Sequence, residues 1–374
     1  MEYEYIDTPQ ALTAALLRIS AEPLIGVDTE AAGYHRFLDR ISLIQISSRA
    51  EHFLIDPIAL SDLSELGPVL TNEGTEKIFH DADYDLRILD RDLGLRVAGL
   101  FDTQIAAAFT GNRALGLGAL VEKYLGIKLP KAYQRADWAE RPLTEGMKDY
   151  AATDTAHLPD LRDRLIEELE EKGRMAWARE EFERREGTRW TGGGEEGEAF
   201  LRIKGARDLT PRGLAILREL HAWRDGVAKE RDQATFRIVS NQALLALSAS
   251  APTTLEALEA TDGVGHWLVE RRGRDVLSAI RAGVEVPEAD LPRFPPSRRW
   301  DRDPEVEARS ESLRQIRTRV ATELDLDPGF LMSRAVLDEV ARRKPTTRDD
   351  LLAIPEVRKW QVEAIGDELL KATK

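Results

Sequence analysis

Two carboxylates one residue apart, Asp28 and Glu30, close an apolar run that begins at Leu24-Ile25-Gly26-Val27. Far downstream, Tyr150 and Asp154 stand four residues apart in Asp149-Tyr150-Ala151-Ala152-Thr153-Asp154, and Asp85 lies between the two segments. Four acids of this kind, if they converge, make a site for a pair of hard divalent cations. Such ions prefer oxygen ligands and clamp the attacking and leaving oxygens of a phosphodiester. Backbone periods favour the convergence. Strand side chains alternate, so Asp28 and Glu30 share one face and Thr29 takes the other. On a helix, a spacing of four stacks Tyr150 over Asp154. The pattern predicts a metal pair at a strand end with a phenol beside it.

Each feature alone has a plainer explanation. An Asp-x-Glu at a strand end is commonly a solvated terminus, and Tyr150 with Asp154 also fits a helix-surface pair. Within His80-Asp81-Ala82-Asp83-Tyr84-Asp85 three aspartates compete, and one or two suit the start of a helix, where free backbone N–H groups favour acids. His80 is a candidate to touch the scissile phosphate, although a strand-end histidine is more often a hydrogen-bonded structural residue. His35, His52, His157, His221 and His266 are dispersed without ligand spacing. Gly116-Leu117-Gly118 is too slight for a phosphate loop and reads as a turn before a helix over Ala119–Tyr124. It is the ordered set of acids that points to catalysis.

Hydrophobic pattern supplies the elements to hold that set. Strand-like runs occur at Leu24–Val27, Ile41–Ile46, Phe53–Ile55 and Lys77–Phe79, with helical patterns around Ser61–Leu70, Tyr84–Asp90 and Thr103–Phe109. Early strands close in sequence suit a meander, and strands alternating with helices suit parallel crossovers, so a mixed sheet flanked by helices is expected. A long charged helical stretch from Thr144 to about Arg185 carries Tyr150 and Asp154. Gly187 to Gly197 reads as a flexible linker.

The motifs have a counterpart. Val27-Asp28-Thr29-Glu30, Ile78-Phe79-His80 followed five residues on by Asp85, and Tyr150-Ala151-Ala152-Thr153-Asp154 resemble the three motifs of the DEDDy 3′-5′ exonucleases. Within that family the chain is most similar to the ribonuclease D group and to the exonuclease of the eukaryotic nuclear exosome. Ile41-Ser42-Leu43-Ile44-Gln45-Ile46, Phe101-Asp102-Thr103-Gln104 and Gln134-Arg135-Ala136-Asp137-Trp138 add to the likeness, while Ala31-Ala32-Gly33-Tyr34-His35-Arg36-Phe37 leans toward the exosome relative. The resemblance implies an α/β ribonuclease-H-like domain. It implies Asp28, Glu30, Asp85 and Asp154 as ligands of two Mg2+ or Mn2+ ions, and Tyr150 holding the attacking water. The implied substrate is RNA with a free 3′ end, such as a transfer RNA precursor, releasing nucleoside 5′-monophosphates.

Beyond the linker the sequence repeats itself. A shift of 93 residues superposes Ser240 on Ser333, Pro252-Thr253-Thr254 on Pro345-Thr346-Thr347, Trp267 on Trp360 and Gly273 on Gly366 without a gap. So many matches indicate a duplicated helical unit, and both copies resemble the HRDC domain. The expected division is an exonuclease domain over 1–186, a linker over 187–204, HRDC copies over 205–286 and 305–374, and a Pro- and Arg-rich linker over 287–304. Core packing is the expectation for Trp267 and Trp360. In the second linker, Arg298-Arg299-Trp300-Asp301-Arg302 suits either RNA contact, with Arg298, Arg299 and Trp300 gripping phosphate and base, or a solvated connector.

Composition sets outer limits. The chain has 374 residues, 42% of them hydrophobic, no cysteine and a formal charge of −14. No disulfide, zinc knuckle or thiol chemistry is available. The start lacks the basic and apolar regions of a signal peptide, so a cytoplasmic protein is expected. The negative charge excludes a purely electrostatic RNA-binding module and predicts short contacts at a strand end. Two rivals remain: a 3′-5′ exonuclease acting on DNA, and a non-catalytic nucleic-acid-binding protein on the same fold. The second has no need of four mutually repelling acids.

Overall fold

A computed structural model describes residues 1–192, 196–294 and 303–373. The linker candidates Arg298, Arg299 and Trp300 lie outside the described residues. The chain forms two compact units, Met1–Glu30 with Ile41–Trp190 and Trp300–Lys374, and Ala31–Arg40 with Thr191–Arg299.

The first unit is built on a sheet of six strands, β1 (Glu4–Ile6), β2 (Leu24–Ala31), β3 (Ile41–Ser47), β4 (His52–Ile55), β5 (Glu76–Phe79) and β6 (Leu100–Asp102). Their order is β1-β4-β3-β2-β5-β6. β3 and β4 are antiparallel, whereas β1 pairs parallel with β4, β2 with β5, and β5 with β6. The sheet is mixed and flanked by helices, as the pattern of runs predicts. β1 and β6 have only three residues each, too few to display a period.

The long charged helix divides into three: Glu145–Ala156, Leu158–Glu171 and Met175–Glu186. Pro159 has no N–H to offer the Thr155 carbonyl, and Gly173 takes a left-handed backbone at φ 66°. The first break matters for the site. A Cβ on Gly26 would lie 2.8 Å from the Thr155 oxygen and 3.1 Å from Leu158 Cβ, so only glycine lets this corner seat against β2. The Ser61–Leu70 pattern is likewise shorter than expected, with helix only over Leu66–Thr71.

The sheet-side core continues into the second helical repeat. Phe109 meets Trp360 at 4.9 Å and Phe330 at 4.8 Å between ring centroids, and Trp177 lies 5.6 Å from Trp360. The Glu180 carboxylate accepts from Lys359 N at 2.7 Å and Trp360 N at 2.9 Å, capping the Lys359–Ala372 helix, and Glu181 accepts from the Trp360 indole at 2.7 Å.

The second unit holds the first repeat, with helices Pro211–Glu230, Asn241–Ser250, Leu255–Glu259 and His266–Glu285. The duplication is visible atom for atom at the caps. Ser240 and Ser333 both cap helices at φ −68°, and Ala251 and Lys344 both end them in the left-handed region, at φ 45° and 49°. The tryptophans differ. Trp360 is 2% exposed and Trp267 is 44% exposed, so the core expectation fails for Trp267. Identical repeat positions diverge because the exonuclease helices cover only the second copy's indole within its unit. Phe200 and Ile203, expected in the linker, are buried in the core of the second unit. Residues 31–40 join this unit through Phe37, which packs on Val227, Ala228 and Ile238. Among the described residues no helix is long and apolar enough to cross a membrane.

Candidate active site

β2 carries Asp28 and Glu30 on one face, and the Glu145–Ala156 helix brings Asp154 against them. One carboxylate oxygen from each of the three lies within 4.8 Å of the others. They sit in a cleft of about 500 Å³ together with Thr29, His80, Tyr150, Lys131 and Gln134. Asp85 is buried at 5% exposure in the first turn of the Asp83–Leu93 helix, outside this closest group of three. Its carboxylate accepts from the Thr29 hydroxyl and feels the charge of Asp28.

The competition among three aspartates resolves by partners. Asp83 pairs with Arg87 at 2.8 Å and with Arg185. Asp81 is exposed, with a left-handed backbone at φ 60°. Asp85 alone of the three is buried.

Crowding sets the electrostatics. Burial, then the charge of Asp154, pushes the Asp28 carboxyl up to about 7. Burial also raises Asp154 to about 7, against a hydrogen bond from Tyr150. Glu30 is raised well above the usual range by burial and by Asp28, Asp154 and Asp85, and Asp85 by burial and Asp28. Four acids so placed cannot all ionise near neutral pH without cations. The all-oxygen donor set fits Mg2+ or Mn2+ and is wrong for softer metals.

Tyr150 is held by its neighbours. Its ring lies 6.0 Å from Tyr133 and 6.1 Å from Trp138, the latter 1% exposed. A side chain at Gly146 would collide with the Tyr133 hydroxyl. Burial and the charges of Asp154 and Glu30 raise the Tyr150 phenol, keeping it neutral. His80 lines the cleft with Nδ1 2.9 Å from the Thr103 hydroxyl, which itself donates to the Phe79 carbonyl at 3.0 Å. Thr103 thus accepts from Nδ1–H, and the remaining ring nitrogen is an acceptor. Burial lowers the His80 pKa and favours that neutral ring. His80 is thus held by a hydrogen bond on the cleft wall.

Sequence reasoning missed the supports. Asp102 accepts from Asp81 N, Ala82 N, Gln104 N and Ile105 N, at 2.9–3.2 Å, and so fixes the turn that follows His80. The Asp-Thr-x-x start of a helix is a readable N-cap signal, although its second duty to the His80 turn is long-range. Gly116-Leu117-Gly118 also lines the cleft, and the helix begins at Leu117 rather than Ala119.

Comparison with known proteins finds matches along the whole chain. The sequence profile of a 3′-5′ exonuclease family matches residues 3–170, and that of the HRDC domain matches residues 213–280 and 306–373. Ribonuclease D of Gluconacetobacter diazotrophicus is 30% identical, covering 98% of this chain and 91% of that protein. Ribonuclease D of Escherichia coli K12 is 32% identical over 78% of each. The crystal structure of Escherichia coli RNase D, an exoribonuclease involved in structured RNA processing, superposes with a TM-score of 0.72 at 26% identity, covering 100% of this chain and 98% of that one. The catalytic core of RRP6 from Trypanosoma brucei gives 0.63 at 26% identity, covering 75% and 79%.

Proposed function

This chain belongs to the ribonuclease D family, and on that premise we propose a metal-dependent 3′-5′ exoribonuclease that trims 3′ extensions of structured RNA, transfer RNA precursors among them. It is a hydrolase of phosphodiester bonds, acting in the cytoplasm and releasing nucleoside 5′-monophosphates. The division into an exonuclease domain over 1–186 and HRDC copies over 205–286 and 305–374 belongs to the same reading, supported by the matched segments.

The observation that carries it is the convergence of Asp28, Glu30 and Asp154 within 4.8 Å, with Asp85 buried beside them. These four acids would hold two divalent ions. When bound, the ions supply charge stabilisation at the phosphate and acidify the attacking water. The protein's own part is orientation. Tyr150 lines the cleft with Asp154, and its neutral hydroxyl would hold a water in line with the terminal phosphate. A raised phenol pKa rules against Tyr150 as a base, so the group positions without ionising. His80 offers an acceptor to a sugar hydroxyl at the cleft wall.

Tyr150→Phe tests the positioning role. With the ring packing retained, kcat should fall by roughly 100- to 1000-fold, the range of one well-placed hydrogen bond in the transition state, while KM for RNA holds. An unchanged kcat would remove Tyr150 from the mechanism.

The function itself is tested with matched 3′-tailed RNA and DNA strands in Mg2+, Mn2+ or EDTA, resolved at single nucleotides. A cation-dependent ladder from the RNA 3′ end is expected, with much less from DNA. Equal ladders would make the enzyme a general exonuclease, and binding without any ladder would make it a binding protein.

A further inference from the structure

We propose that Tyr34, Phe236 and Arg237 form a stacking platform for unpaired nucleotides of the RNA strand, an inference that rests on the exoribonuclease reading. All three belong to the second unit. Tyr34 is 44% exposed and Phe236 48% exposed, large fractions for rings of this size. Their centroids lie 5.2 Å apart at an interplanar angle of 50°. The Arg237 guanidinium lies 5.1 Å from the Tyr34 ring centre, donates from Nε to the Tyr34 carbonyl at 3.0 Å, and meets His35 Nδ1 at 3.1 Å. The cluster is aromatic and cationic, and both rings are nearly half exposed.

The Arg237 bonds help to hold the 31–40 segment, but they do not act alone. Phe37, the Ala234 N–H bonded to the His35 carbonyl at 3.1 Å and the Arg36–Asp232 pair at 3.3 Å hold it as well. In the short Thr235–Ile238 helix, Ile238 turns inward at 3% exposure while Phe236 turns out. A phenyl ring has no polar handle to repay its contact with water. Nucleobases are the ligand class that suits such a ring beside a guanidinium, since every base offers a π-face.

Overall charge favours the same ligand. At −14 the protein gains little from general attraction to phosphate. Stacking supplies grip that depends less on salt and tolerates any base, as an enzyme trimming varied 3′ tails requires.

The test uses the full chain and a single-stranded RNA carrying 2-aminopurine at each of the first six positions from the 3′ end in turn. Binding is read by fluorescence in EDTA, so it needs no turnover. The native chain should quench one or two positions selectively. Phe236→Ala and Tyr34→Ala should abolish that quench and weaken affinity roughly 5- to 100-fold each, the range for one lost base stack, whereas Phe236→Trp restores both. An abasic nucleotide at the quenched position should cost the native chain the same factor and cost the alanine variants nothing further. Quenching and affinity unchanged in both alanine variants would overturn the platform, whether or not the enzyme cleaves RNA. A native chain that shows the quench but yields no ladder with either metal would instead overturn the exonuclease reading and leave the platform standing.

Discussion

Asp28→Asn should reduce RNA hydrolysis by roughly 1000-fold or more, since removing one of the acids that would hold the ions withdraws several kcal/mol of transition-state stabilisation. Affinity for RNA should largely persist. The same substitution should raise the stability of the metal-free protein. Asp28 and Asp154 both titrate near 7 in the fold, well above the ordinary aspartate value. The folded state therefore holds extra protons between about pH 4 and 7. Stability without cations falls as pH rises through that window. The substituted amide carries no charge, so the variant in EDTA should melt above the native chain at pH 8, with the gap closing toward pH 4. Mg2+ or Mn2+ should raise the native melting temperature more than the variant's. Thermal melts across pH, with and without metal, check each part. Full activity in Asp28→Asn would dismantle the proposed site.

Arg141→Met should cost about 3–5 kcal/mol of a total near 5–15. The guanidinium bonds both Asp56 oxygens at 2.7 Å, the Trp138 carbonyl at 2.7 Å and the Ser42 carbonyl at 2.6 Å. The Asp56 side chain is only 3% exposed, so the variant leaves a buried charge short of its partner. Burial would raise the Asp56 carboxyl, yet bonds from Arg141 and Tyr5 hold it below the usual range. Its contribution is therefore complete above about pH 4 and is lost as pH falls through the lower folded value. Denaturant unfolding should show the deficit of Arg141→Met shrinking in acid, and Asp56→Asn in the same chain should recover part of it. Activity should fall as well, because Trp138 and Tyr133 brace Tyr150. A loss below about 1 kcal/mol at pH 7 would show the network to be ornamental.

Local chemistry made much of this legible. The alternation in Asp28-Thr29-Glu30 fixed which acids face together, and the spacing of Tyr150 and Asp154 placed both on one helix face. What periodicity does not carry is choice among equivalent residues. Asp81, Asp83 and Asp85 look interchangeable until Arg87 and Arg185 claim Asp83 and the Thr29 hydroxyl claims Asp85. Trp267 and Trp360 occupy the same repeat position, yet one is exposed and one buried, because their surroundings come from distant segments. β1 and β6 are held by pairing with β4 and β5 rather than by any pattern of their own three residues. The turn at His157 depends on Pro159 and on the close approach of Thr155 to Gly26, a contact between residues 129 positions apart. Short elements and long-range partners were the unreadable part.

The aromatic seal around Trp360 also imposes an order on synthesis. Phe109 and Trp177 are made well before Trp360, the ring that covers them. Until then a growing polypeptide carries an apolar face with nothing to close it, the surface that invites aggregation or capture by chaperones. A chain that stops short of the Lys359–Ala372 helix keeps that face open. Synthesis of the Lys359–Ala372 helix is thus what closes the face, and a product without that helix keeps its apolar rings in view.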